Sequence, residues 1–266
     1  MMILTYREAG QQEISAAGLN EALLAVRSEL GRVYQPYAGA LEAQHRPVVD
    51  WFSYELVPVL VLLPNDGGRD ARMLAVAMEL CCLGGLVHDK GGGTAHMPGR
   101  SVLTGDYLYA LGALRLAAAG YDDWLGSVGR VLCRRSEARL VRLDWVGRSF
   151  VPESEKIANL HKENAEAMSL AAQMAVERLD WPEVHKRAYA EFGFYLGILQ
   201  GIVQNGYDVR GYEYTEALEL CRSALAVRPE LAAAAETFIL ERFERYGETR
   251  YDKKYHDEKG AAQEMA

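Results

Sequence analysis

Residues 66–90 run DGGRDARMLAVAMELCCLGGLVHDK, and residues 98–112 run PGRSVLTGDYLYALG. From Met73 to Val87, apolar residues recur every three or four positions, the period of a helix with a buried face. Ahead of that run, Gly67 and Gly68 precede Arg69 and Arg72. Glycines let backbone N–H groups approach a phosphate, so this pattern can hold an anion. A loop followed by solvated helix-end charges gives the same pattern. His88 beside Asp89 fits a catalytic or metal-binding pair, and equally an exposed helix end. Gly91, Gly92 and Gly93 lack a following Gly-Lys-Ser/Thr, so they read as a flexible connector. Gly105 falls inside a helical run, where glycine costs about 1 kcal/mol against alanine. Close packing of two helices would explain it.

Outward from this stretch, helical spacing continues, and no run alternates with the period of two expected of a strand. The spacing predicts helices at about 17–32, 46–62, 70–89, 101–119, 122–146, 152–178, 182–206, 213–227 and 229–246. Gly120 marks the end of one, and Pro152, Pro182 and Pro229 open others. No Pro-, Gly- or Ser-rich linker and no internal repeat divides the chain. The expectation is one all-α domain over residues 1–266, with a polar, flexible tail at 248–266.

The chain has 266 residues, half of them hydrophobic, with 29 Lys and Arg against 37 Asp and Glu, a formal charge of −8. That balance argues against a nucleic-acid partner, which needs clustered cations. The longest apolar run, 57–63, is too short to span a bilayer, and no signal-peptide pattern opens the sequence. A cytoplasmic location is expected. Cys81, Cys82, Cys133 and Cys221 form no C-x-x-C pair and fit no zinc spacing. Cys81 and Cys82 read as small buried hydrophobes.

In order, these pieces resemble the trans-polyprenyl diphosphate synthase family. Its pattern runs Gly-Gly-Lys-x-x-Arg-Pro, Leu-Ile-His-Asp-Asp-x-x-Asp, then Val-Leu-x-Gly-Asp-Tyr. Gly67, Gly68 and Arg72 match the first motif, with Arg69 for its lysine and Met73 for its proline. His88 and Asp89 match the start of the second. Leu103, Gly105, Asp106 and Tyr107 match the third. Glu137 falls where the family has Gly-Glu, and Lys162 where it has Lys-Thr. Gly193, Leu196 and Gly197 match a Tyr-Gly-x-x-Leu-Gly stretch. The resemblance spans about residues 20–245 and implies the all-helical isoprenoid-synthase bundle.

Members of that family hold Mg²⁺ between two aspartate-rich motifs on facing helices and ionise an allylic diphosphate with it. Mg²⁺ demands hard oxygen ligands, mostly carboxylates and phosphates. Here the first motif keeps only Asp89, with Lys90 and Gly93 in place of aspartates. In the second, Gln204 and Asn205 replace the pair and only Asp208 remains. A lysine beside a divalent site repels it by several kcal/mol, about 4 at 4 Å and intermediate dielectric for a unit charge. No catalytic or metal-ligating residue is therefore assigned, and no cofactor is expected on this chain alone. The resemblance leaves vestigial diphosphate-binding candidates: Gly68, Arg69, Arg72, His88, Asp89, Lys90, Lys162 and Asp208.

Within the family the chain is most similar to component I of two-component heptaprenyl diphosphate synthases, which has degraded aspartate motifs. Residues 134–143 and the Arg148-Ser149-Phe150 stretch carry that likeness. It implies a non-catalytic subunit for menaquinone side-chain synthesis. The partner would be a catalytic component II that holds the Mg²⁺, and a homodimer is possible in its absence. The helices around 101–146 would form the interface. Residues before the first aspartate motif set product length in the family. Cys82, Leu83, Gly84 and Gly85 would then line an unblocked tunnel, or the two glycines would simply let helices touch. The alternatives are a self-sufficient, divergent class I isoprenoid enzyme and a stand-alone isoprenoid-binding protein.

Overall fold

The computed structural model describes residues 15–34, 56–65, 67–90, 98–207 and 212–244. Among them the regular structure is entirely helical: α1 (Ala16–Tyr34), α2 (Leu56–Leu62), α3 (Arg69–Lys90), α4 (Pro98–Ala118), α5 (Leu125–Leu143), α6 (Glu153–Leu160), α7 (Glu166–Val176), α8 (Glu183–Asn205), α9 (Tyr212–Leu225) and α10 (Pro229–Ala235). A single 3₁₀ turn, Asp122–Trp124, leads into α5. A π-helical turn, His161–Ala165, joins α6 to α7, and another, Glu236–Leu240, extends α10.

The expected helices appear with small shifts. The predicted 122–146 helix ends at Leu143, and the predicted 152–178 helix contains the π turn. Residues 46–55 and the expected tail at 248–266 lie outside the described residues. Proline sets three helix starts. Pro152 and Pro182 hold extended N-cap positions, and Pro229 sits inside the first turn of α10. Gly206 ends α8 in the left-handed region at φ +67°. The next N–H, that of Tyr207, closes on the carbonyl of Ile202 at 3.0 Å.

α2 is the most buried element. All seven of its side chains are buried, so it has no polar face. Each fully buried Leu or Val there is worth about 1.5–3 kcal/mol against exposure. Its neighbours tie it down: Tyr189 Oη on α8 donates to the Leu60 carbonyl at 2.7 Å, and Asn65 Nδ2 donates to Val61 and Ala175 carbonyls at 2.8 and 3.1 Å. Buried residues from α1 through the second π turn join one hydrophobic core.

α3 runs beside α2, with every residue from Leu74 to Leu80 buried. By length and composition α3 passes as a membrane span, but 72% of that window is buried inside the protein. That is how a core helix behaves. α3 and α4 touch backbone to backbone. A Cβ on Gly105 would lie 2.7 Å from the Gly84 carbonyl oxygen and from His88 Cβ. The helix-interior glycine expected to permit close packing does so here.

Candidate functional site

The second halves of α3 and α8 flank the region where the resemblance places its chemistry. α5 and the π turn close that region from the side. The cavity between them is lined by Cys82 and Leu86 from α3, Arg135 from α5, Glu163 and Asn164 from the π turn, and Gln200 and Gln204 from α8. Its volume is about 20 Å³, room for about one water and no prenyl chain. Of the four residues expected to line an unblocked tunnel, Cys82 borders this cavity, and Leu83, Gly84 and Gly85 are not part of its lining. Leu83 is core, at 2% exposure. A Cβ on Gly84 would meet the Gly105 carbonyl oxygen at 3.0 Å and the Tyr109 ring at 3.1 Å. One on Gly85 would meet Tyr109 Oη at 2.6 Å and Arg135 Cζ at 2.7 Å. Both glycines face neighbouring helices, so helix contact is the role visible here. Cys82 does face the small cavity. Burial first, then the Glu79 carboxylate, pushes its thiol up to about 12, with Arg135 pulling the other way. It lines the space as a neutral group. Cys81 and Cys221 are buried as well, and Cys133 is exposed.

The π turn organises the polar side of the site. It inserts a residue into the helical register, so consecutive side chains, Glu163 and Asn164, both turn inward. Glu163 is 2% exposed. Its Oε1 lies 2.7 Å from Arg139 Nε and 3.0 Å from Arg142 Nη1. Its Oε2 accepts from Asn159 Nδ2 at 3.3 Å. Asn164 Nδ2 donates to Gln204 Oε1 at 3.1 Å. Arg142 Nη1 also donates to Asn205 Oδ1. The ion pair Arg134–Glu166 extends this seam along α5 at 2.7 Å, and Arg148, beyond the end of α5, pairs with Glu155 at 3.2 Å.

Among the described residues, Arg69 and Arg72 do not converge with His88. Arg69 and Arg72 start α3, whereas His88 is near its end, about 24–28 Å along the axis at 1.5 Å per residue. Arg72 Nη1 donates to the Gly67 carbonyl at 2.8 Å, and Gly68 closes that first turn through Arg72 N at 3.1 Å. Arg69 is exposed. His88 Nε2 lies 3.8 Å from Asp106 Oδ1, with both side chains largely exposed. Asp89 and Lys90 occupy the last turn of α3, and Lys162 is half-buried in the π turn. Asp208 lies outside the described residues. Sequence reasoning noted the α5 arginines only as a likeness. Arg135, Arg139 and Arg142 recur at four and three residues, on one helix face, but nothing in the sequence singles out Glu163 as their partner among the polar residues 161–166.

No family model matches the chain, and no curated protein matches it. Solved structures do match. The chain is similar to a geranylgeranyl pyrophosphate synthetase from the archaeon Geoglobus acetivorans, at 15% identity and a TM-score of 0.65, covering 86% of this chain and 97% of that one. It is similar to a decaprenyl diphosphate synthase from Rhodobacter capsulatus, at 18% identity and 0.62, covering 86% and 98%. It is also similar to a geranyl diphosphate synthase small subunit from Antirrhinum majus, at 16% identity and 0.54, covering 82% and 98%. The fold is that of the helical isoprenoid synthases.

Proposed function

We propose that this chain is the non-catalytic subunit of a two-component prenyl diphosphate synthase. One observation carries the reading. Gln204 and Asn205 stand where the resemblance puts paired aspartates, and their amide oxygens accept from Asn164 and Arg142 of the chain itself. Neutral amides engaged this way, with a guanidinium on one of them, do not fit the anionic oxygen array that Mg²⁺ requires. We assign the Mg²⁺ and the ionisation step to a partner that keeps its carboxylates, with the complex in the cytoplasm.

Two further observations support the reading. α4 and α5 expose large apolar side chains: Leu103, Tyr107 and Leu114 on the first, and Leu140 and Leu143 on the second. Exposed apolar residues grouped on adjacent helices suit a protein partner. A small subunit of a geranyl diphosphate synthase is among the structures that share the fold. By resemblance, the product of the complex is a long, heptaprenyl-like chain for a menaquinone. The cavity that Cys82 borders is too small for a prenyl chain, so we place any influence on product length at the face that meets the partner.

The test is prenyl elongation from farnesyl and isopentenyl diphosphates with Mg²⁺. It is run with this chain alone, with a candidate catalytic partner alone, and with both. Long product is expected only from the mixture. Product from this chain alone would overturn the proposal.

A further inference from the structure

Two guanidinium groups from successive turns of α5 converge on one point. Arg139 Nε and Arg142 Nη1 lie 2.7 and 3.0 Å from the same oxygen, Glu163 Oε1. Two cations brought this close repel unless an anion sits between them, and paired guanidiniums are the usual cradle for phosphate or carboxylate oxygens. The anion here comes from the chain. Both oxygens of the Glu163 carboxylate face donors, the second accepting from Asn159 Nδ2 at 3.3 Å. The π turn carries it, with Glu163, Asn164 and Ala165 buried in succession. The carboxylate is 2% exposed, while the Arg139 and Arg142 side chains are 21% and 29% exposed. The outer edge of the arginine pair therefore reaches water, and its inner edge is filled.

We propose that Arg139 and Arg142 form a binding site for a phosphate-class oxyanion that the chain occupies with its own Glu163. The glutamate acts as a tethered ligand. Its effective concentration at the arginines is far above that of any free anion, because the helix holds it in place. In the native protein the site stays closed to diphosphate groups. Removing the negative charge while keeping the shape leaves the inner edge filled but frees the charge of the pair to hold an anion at its water-facing edge. The inference stands on this geometry and holds whether or not the chain has a catalytic partner.

The experiment is calorimetric titration of the full chain with inorganic pyrophosphate, without added divalent metal. Three proteins are compared: wild type, Glu163→Gln, and Glu163→Gln combined with Arg142→Gln. Wild type is expected to give no saturable heat. Glu163→Gln is expected to bind at least about tenfold more tightly, weakening as salt rises, because the pair then carries positive charge that Glu163 no longer balances. The double variant is expected to lose that gain. Circular dichroism confirms the fold of each protein. If Glu163→Gln does not fold, Glu163→Asp replaces it, since one methylene less withdraws the carboxylate from the arginines and exposes them in part. Wild-type binding equal to that of the variant would overturn the proposal. So would a folded variant, Gln or Asp, that gains nothing.

Discussion

Two helix contacts in this molecule are made by opposite means. α3 meets α4 by having no side chains at the crossing: Gly84 and Gly105 bring the backbones together. α5 meets the π turn by filling the gap with long charged side chains, Arg139 and Arg142 against Glu163. The first contact is set by steric fit and dispersion and takes no notice of salt. The second depends on charge balance, and its net worth is small because desolvation offsets attraction. Size should break the first contact, and charge imbalance should break the second.

The largest effect is expected at the glycine crossing. Gly105→Leu would push a side chain into the Gly84 carbonyl, which cannot move without displacing α3. It should destabilise the protein by about 3 kcal/mol, read as a lower urea midpoint. A midpoint within experimental error of wild type would mean that the contact is looser than described. Next comes Glu163→Ala, which leaves two arginines facing each other and should cost about 2 kcal/mol. Replacing Glu163, Arg139 and Arg142 together by Met, Leu and Met should recover most of that loss, because an apolar cluster needs no counter-charge. If the triple variant is worse than the single, the seam contributes net stability of its own.

A smaller effect sharpens the comparison by pH. The His161 ring in the π turn packs edge-on to Phe194 at 5.1 Å. Burial lowers its pKa from the ordinary 6.5, and Glu166 only partly opposes this. The unfolded chain thus takes up the proton first as pH falls. Stability from this group should therefore be fully present above the ordinary histidine range and be lost as pH falls through it. His161→Phe should flatten that slope in unfolding curves taken across the range, and an unchanged slope would remove His161 as its source. Smallest of all, Arg148→Ala breaks a half-exposed pair with Glu155 and should shift stability by no more than about 0.5 kcal/mol. A larger loss would show that the seam acts as a network.

The glycine contact could be read in the sequence, and the charged one could not. Gly105 stood out because a helix interior disfavours it, and proline placed the starts of α6, α8 and α10. Apolar spacing located most helices within a few residues. The site was harder, because spacing along a chain tells which face is buried but not what a buried polar group meets. Arg139 and Glu163 are on different helices, and only the π turn, which has no sequence signature here, brings them together. Arg69 and Arg72 are grouped with His88 because the resemblance assigns both motifs to diphosphate binding. A straight helix instead carries them to opposite ends.

The helix α2 has a consequence for how this protein is made. A seven-residue segment without a polar face is insoluble as a free surface. Its neighbours α1 and α3 are made close to it in time, but others are translated late: the hydroxyl that caps the Leu60 carbonyl comes 129 residues downstream, and the Ala175 carbonyl held by Asn65 comes 110 residues after it. For much of its synthesis the nascent chain carries a sticky segment that is only partly covered, and long-range closure of this kind is slow. Fragments that stop before α8 should aggregate or be held by chaperones. The last third of the chain is thus a condition for the solubility of the first.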